Sequence, residues 1–329
     1  MKGSYTIRIH NRRVTFTLEI ERNLTILCGN SATGKTTLVN YVAYYEDLGP
    51  KSGVSIESPR PCITLRGSEW QEKLQRNHGC FVFLDEGNSF IHSKDFAQAI
   101  QKTDHYYIII TRANLFQLPY SVHSILELRK TTSRFNHTYN HTYPRYDFIP
   151  QFDSKKHQLD YYLTEDSNSG YDFFSFLADR ESIRCLSSNG KDHILSVLRN
   201  EKGQRGLIIA DGAAFGASMA SVYQYLQMHP KEIILYLPES FEWLILSSGV
   251  LQDKETREIL SQPENYIESH DYFSWESFFT HLLEEKTRGT IAQYTKRKLN
   301  PYYLDDKNVE KIVLRMAGKE DGLANRETN

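Results

Sequence analysis

Apolar and polar residues alternate along 4–10 (Ser-Tyr-Thr-Ile-Arg-Ile-His) and 13–20 (Arg-Val-Thr-Phe-Thr-Leu-Glu-Ile), with Asn11-Arg12 between the two runs. That period of two predicts a hairpin whose strands each bury one face. Leu24–Cys28 is nearly continuously apolar, as expected for a strand covered on both faces. Leu38-Val39-Asn40-Tyr41-Val42 then takes up helical spacing. Further strands are expected at Val54–Ile56, Cys62–Leu65, Cys80–Leu84 and Tyr106–Thr111, and helices at about 68–76 and 94–102. Strands alternating with helices predict a parallel, three-layer α/β domain.

Residues 131–170 carry turn formers, prolines and aromatics without a sustained period and read as a connector with room for a short hairpin. A second α/β pattern begins near Tyr171, with strands at Ile183–Leu186, Gly206–Ala210 and Glu232–Leu237. Its helices are expected from about 190, over Phe215–Leu226 and from Ser240, and 253–316 reads as helical. The expected organisation is an α/β domain over 1–130, a connector over 131–170, a Rossmann-like α/β domain with a helical C-terminal part over 171–316, and a flexible polar tail over 317–329.

A length of 329 residues agrees with about two domains, and 40% apolar residues supply a real core. Low-complexity disorder, collagen-like repeats and a coiled coil as the main architecture are excluded on that composition. The longest apolar runs, Tyr106–Ile110 and Phe241–Leu246, fall far short of the ~18 residues a membrane helix needs. The N-terminus runs straight into a strand-like alternation, so a soluble, cytoplasmic chain without a membrane partner is expected. Cys28, Cys62, Cys80 and Cys185 show neither close pairing nor metal-ligand spacing. The net charge of −2 hides an asymmetry: residues 1–150 carry 18 Lys and Arg against 13 Asp and Glu, while the remainder is acidic by seven charges. Such a split fits two domains of different character.

Gly29-Asn30-Ser31-Ala32-Thr33-Gly34-Lys35-Thr36-Thr37 sits between the buried strand and the helix and matches the Walker A pattern. A strand turning sharply into a helix points consecutive backbone N–H groups at phosphate oxygens, and the helix N-terminus adds partial positive charge. In this pattern Lys35 reaches the β- and γ-phosphates and the Thr36 hydroxyl ligates Mg²⁺. About fifty residues later, Cys80–Leu84 is an apolar strand ending in Asp85-Glu86. In a parallel sheet those carboxylates reach the edge that carries the phosphate loop. There Asp85 can hold Mg²⁺ through water, and Glu86 can polarise an attacking water.

Together these residues resemble P-loop NTPases of the additional-strand class, in which a catalytic Glu follows the Walker B Asp. The resemblance covers about residues 4–130 and implies an ATP-hydrolysing core that uses ATP and Mg²⁺. It makes Thr111, at the end of the Tyr106–Ile110 strand, a sensor of the γ-phosphate, and Arg112 a charge stabiliser in its own site or in a neighbour's. The bland alternative for Arg112 is a surface arginine or an ion pair. No guanine-reading Asn/Thr-Lys-x-Asp motif occurs, which weakens a GTPase reading, and no lid with clustered arginines supports a kinase. The opening hairpin resembles ABC-type and recombination-repair ATPases. However, the spacing from Lys35 to Asp85 leaves no room for their helical insertion, and no Leu-Ser-Gly-Gly-Gln signature precedes Asp85.

In the second domain, strand ends lead into Asp211-Gly212-Ala213, Pro238-Glu239-Ser240-Phe241-Glu242 and Ser187-Ser188-Asn189-Gly190. Carboxylates at successive strand ends are how an α/β domain gathers Mg²⁺, which makes Asp211, Glu239 and Glu242 candidate metal ligands. The layout faintly resembles Toprim domains, including those of the overcoming-lysogenization-defect nucleases. It departs from them where Asn189-Gly190 stands for Glu-Gly and Asp211-Gly212-Ala213 for Asp-x-Asp. Lys296-Arg297-Lys298, followed by Pro301-Tyr302-Tyr303, reads as a solvated helix end or a small nucleic-acid contact. Three functions therefore stand side by side. They are an ATPase coupled to an effector or partner-binding domain, an ATP-regulated metal nuclease, and a nucleotide-dependent switch with little turnover that acts on a protein partner or as a homo-oligomer.

Overall fold

The computed structural model describes residues 1–29, 33–132, 137–146 and 151–319. The chain forms two compact units, one of Met1–Asp147 with Gln262–Ser274, the other of Phe148–Ser261 with Trp275–Asn329.

The first unit is a nine-stranded, mostly parallel sheet with helices. Strands β1 (Tyr5–His10) and β2 (Val14–Ile20) form the expected hairpin, and β3 (Leu24–Cys28) follows. Helix α1 (Lys35–Leu48) buries Leu38, Val39, Val42 and Ala43 and ends at Gly49, whose N–H bonds Tyr45 O. Then come β4 (Ser55–Glu57), β5 (Cys62–Thr64), α2 (Trp70–Arg76), β6 (Phe81–Leu84), α3 (Lys94–Ile100), β7 (Tyr106–Ile110), β8 (Ile125–Thr132) and β9 (Thr138–Pro144). The strand order is β4-β1-β2-β9-β8-β3-β7-β6-β5. Strand β7 pairs in parallel with both β3 and β6, with Leu27 opposite Ile110 and Leu84 opposite Ile109. Every residue of β6 and β7 is buried, as strands covered on both faces require. One core joins Ile7, Ile9, Phe16 and Leu18 of the hairpin to Leu38 and Val42 of α1.

The start of the span expected as connector, residues 131–132 and 138–144, thus belongs to strands of the first sheet, where β8 and β9 pair antiparallel as the short hairpin allowed for there. The helical reading of 253–316 also changes, because 262–274 returns to the first unit. There Gly3 N–H bonds Glu264 O (2.6 Å), Ser269 N–H bonds Met1 O (2.9 Å), and Asn23 Nδ2 bonds Phe273 O (2.8 Å). The Met1 ammonium pairs with Glu268 and donates to Ser269 Oγ at 2.7 Å.

The second unit is a four-stranded, wholly parallel sheet in the order β11-β10-β12-β13. Its strands are β10 (Tyr161–Thr164), β11 (Arg184–Ser187), β12 (Gly206–Ile209) and β13 (Ile233–Tyr236). They alternate with α4 (Ser169–Glu181), α5 (Ile194–Asn200), α6 (Gly216–Met228) and α7 (Phe241–Ser247). Helices α8 (Lys254–Ser261), α9 (Trp275–Thr287) and α10 (Asp306–Met316) complete it. Strand β10 lies inside the span expected as connector. Its four residues are all buried, so they carry no alternation.

Close packing across β10 and β12 depends on one missing side chain. A Cβ on Gly206 would come within 2.1 Å of Tyr161 Cζ, and Tyr161 is fully buried with nowhere to swing. Gly206→Ala is expected to lower the unfolding free energy of this unit by about 1–3 kcal/mol, read as a shift in the urea midpoint. Gly87→Ala, where a Cβ meets nothing within 4 Å, is the control and should leave the midpoint in place. Among the described residues no helix is long and apolar enough to cross a membrane.

Candidate functional sites

Because β3, β6 and β7 run parallel and in register, their carboxyl ends lie along one edge of the first sheet. Gly29 leaves β3 with φ +118°, and Gly34 enters α1 with φ +91°, both in the region that disfavours a Cβ. A Cβ on Gly34 would also sit 3.2 Å from the Phe16 ring. The Lys35 side chain folds back over this turn, its ammonium donating to Gly29 O (2.9 Å) and Thr33 Oγ1 (3.0 Å). Lys35 is only 8% exposed, and burial, then the nearby Arg112 cation, holds its pKa below the usual lysine range. Thr36 and Thr37 occupy the exposed first turn of α1. Asn30, Ser31 and Ala32, expected to hold phosphate, lie outside the described residues.

At the end of β6, the half-buried Asp85 accepts from the Glu86 N–H through Oδ1 (2.7 Å), and Glu86 is exposed. At the end of β7, the buried Thr111 hydroxyl oxygen accepts from the Ala113 N–H (3.0 Å). The Arg112 guanidinium lies 4.0 Å from a Glu86 carboxylate oxygen. Lys35 feels the charges of Arg112, Glu86 and Asp85. Two cations and two carboxylates therefore share the edge where the glycine turn leaves the sheet.

In the second unit the ends of β10 and β12 are adjacent, while α4 leads outward to β11. This is the point at which strand order reverses and an α/β sheet opens a crevice. A pocket there is lined by Glu165, Asp166, Asp211, Glu242 and Lys296, among others. Glu242 is 1% exposed and accepts from Tyr294 Oη (2.7 Å), which also bonds Ser169 Oγ. The Oε2 atoms of Glu165 and Glu242 are buried without a hydrogen-bond partner. Asp211 Oδ1 accepts from the Phe241 N–H at 3.1 Å. Burial, followed by the neighbouring Glu276, pushes Asp211 well above the usual carboxylate range, and the same two causes raise Glu165 to about 7. The Lys296 ammonium pairs with Glu276.

No family model matches the chain, and no curated protein matches it. Function is therefore to be read from the two strand edges themselves.

Of the three expected metal ligands, Asp211 and Glu242 share the pocket and Glu239 does not line it. The main-chain oxygen of Glu239 accepts from the Ala213 N–H (3.0 Å). Asp166 also lines the pocket, and two more carboxylates lie at this place, Glu165 and Glu276. Neither has a strand-end signal in the sequence. Glu165 follows β10, whose four buried residues show no alternation, and Glu276 opens a helix rather than closing a strand. Asn189-Gly190 follows β11, the second strand in chain order, whereas the first strand is followed by Glu165. Among the described residues no three His, Cys, Asp or Glu side chains are arranged to hold a metal ion. Nor does Lys296 lie at a solvated helix end: it is turned into the acidic pocket, while Arg297 and Lys298 are exposed.

Proposed function

We propose that the first unit is a Mg²⁺-dependent ATPase of the P-loop type, with the second unit as its effector or partner-binding module. The observation that carries this reading is the position of β7 between β3 and β6. That insertion is what the additional-strand class is named for, and it brings Gly29, Gly34–Thr36, Asp85-Glu86 and Thr111-Arg112 to one edge. Gly29 and Gly34 hold backbone angles that disfavour a Cβ, as a phosphate-binding turn needs, and Lys35 stands ready to exchange its bonds to Gly29 and Thr33 for bonds to an anion.

In this reading Thr36 and, through water, Asp85 would hold Mg²⁺, which neutralises charge on the phosphates. Glu86 takes the proton of the attacking water, Thr111 orients the terminal phosphate, and Arg112 moves from Glu86 to the charge that develops on it. Phosphate release from ATP by the full chain, with Mg²⁺ and then with EDTA, tests the proposal. A rate no higher than the buffer blank in both would overturn it.

The second unit supports a further reading, phosphodiester hydrolysis. It is favoured by two unpartnered buried carboxylate oxygens beside Asp211 and Lys296 at the sheet's reversal point. The side chains do not form a metal ligand set as they stand, and no metal-dependent step follows from their arrangement. Incubation of plasmid DNA or RNA with the chain, once with Mn²⁺ and once with EDTA, tests it, and cleavage that Asp211→Asn abolishes would support it. Intact substrate in every nucleotide state argues for a purely structural pocket.

A further inference from the structure

The five strands β4, β1, β2, β9 and β8 form the antiparallel-rich flank of the first sheet, and their two faces differ sharply. One face carries Ile7, Ile9, Phe16 and Leu18 into the core against α1. By register, the opposite face carries Arg8 and His10 of β1, Thr15, Thr17 and Glu19 of β2, Glu57 of β4, Tyr139, His141 and Tyr143 of β9, and Glu127 and Arg129 of β8. We propose that this second face is a binding platform for single-stranded nucleic acid, with Tyr139 and Tyr143 as its stacking groups. The proposal is independent of the ATPase reading.

The aromatic part is built and exposed. Tyr139 and Tyr143 are 38% and 41% exposed and lie on the same face of β9 with His141 between them, so their rings stand about 13 Å apart along the strand. Each ring is braced by a neighbour. The Arg129 guanidinium carbon lies 4.7 Å from the Tyr143 ring centre, and the His137 and Tyr139 ring centres are 4.6 Å apart. His137 is itself held, with Nδ1–H donating to Arg12 O (3.2 Å) and Nε2 accepting from Thr15 Oγ1 (2.9 Å). Rings fixed in this way lose little freedom when a base stacks on them.

Charge complementarity selects the partner. Glu127 is shared by Arg129 (2.9 Å) and Arg145 (4.0 Å), and Glu57 by His10 (3.0 Å) and Arg8 (3.6 Å). Two cationic or protonatable groups compete for each carboxylate, and Arg12 and Arg13 add two more charges at the β1–β2 turn. With Glu19 counted on the same face, Arg8, Arg129 and Arg145 balance the three carboxylates, and Arg12 and Arg13 leave the surplus positive, in the unit with the basic excess. Aromatic rings that accept any base, alternating with arginines that follow a phosphate backbone, suit a single strand. A duplex offers no open base faces to such a surface.

The test is fluorescence anisotropy of the full chain with a labelled oligothymidylate, in EDTA so that nothing is cleaved, and with a duplex of equal length. Binding to the single strand is expected, weakening steeply as salt rises. Tyr139→Ala/Tyr143→Ala and Arg129→Glu should each weaken it at least tenfold, whereas Tyr139→Phe/Tyr143→Phe should retain it because the rings remain. Arg297→Ala/Lys298→Ala, in the second unit, should bind as the wild type does. The proposal is overturned if the wild type does not bind, if it binds the duplex as tightly, or if the folded tyrosine double variant binds unchanged. Should that variant not fold, Arg129→Glu binding at wild-type strength overturns it equally.

Discussion

Lys35→Ala is expected to abolish ATP binding at concentrations that saturate the wild type. The ammonium that would meet the phosphates already donates two hydrogen bonds across the glycine turn, so its reach and aim are set by the turn itself. Hydrogen bonds to charged groups contribute about 1.5–3 kcal/mol each, so losing two weakens binding by about 3 kcal/mol or more, roughly 100-fold. Titration with a fluorescent ATP analogue reads this directly.

Glu86→Gln separates binding from turnover. It keeps the size of the side chain and the 4.0 Å neighbourhood of Arg112 but cannot take a proton. Its affinity for ATP should stay near that of the wild type, while phosphate release falls about 10²–10⁴-fold. Wild-type hydrolysis in both variants would sink the ATPase reading.

The second large effect concerns pH. Glu165 titrates at about 7 in the folded chain against 4.5 ordinarily, because burial and then Glu276 disfavour its charged form. Its folded pKa is raised, so between those two values the native state binds more protons than the unfolded state. Stability then falls as pH rises. The full contribution is present below about 4.5 and is lost by the time pH passes about 7, a difference of roughly 3 kcal/mol. Asp211 is shifted in the same sense and steepens the trend.

Glu165→Gln keeps the shape without the charge. It should unfold at higher urea than the wild type at pH 8, with the two converging near pH 4.5. Identical pH profiles would remove Glu165 from this role. Mn²⁺ adds a second readout, since a cation bound in the pocket favours the charged carboxylates. Recovery of wild-type stability at pH 8 by Mn²⁺, absent in Glu165→Gln, would show that these carboxylates take up a cation.

Much of the proposed nucleotide edge is legible in the chain, because its signals are local. Leu24–Cys28, Gly29–Thr36 and the run ending at Asp85-Glu86 each declare themselves within a few residues. That β7 lies between β3 and β6 is not legible in the chain, because strand order is written in no local pattern. β8 and β9 are hidden for a different reason. Along 138–144 the inward positions include Thr138, Asn140 and Thr142 and the outward ones are aromatic, so the usual apolar-in rule runs backwards. The role of Lys296 is equally invisible, since a Lys-Arg-Lys run reads as solvent-facing. Only the packing of α9 brings Glu276 to its ammonium.

Because residues 262–274 return to the first unit, that unit cannot close until most of the chain has been made. Met1, whose main-chain oxygen accepts from the Ser269 N–H, leaves the ribosome long before that partner does. At about 5–20 residues per second, the 127 residues between 147 and 274 take roughly 6–25 s to synthesise. During that interval the nascent first unit lacks its returning segment, and all four strands of the second unit's sheet are made before it. The two units are therefore bound together in time as well as by the peptide chain, and a message cut after residue 150 encodes an incomplete first unit.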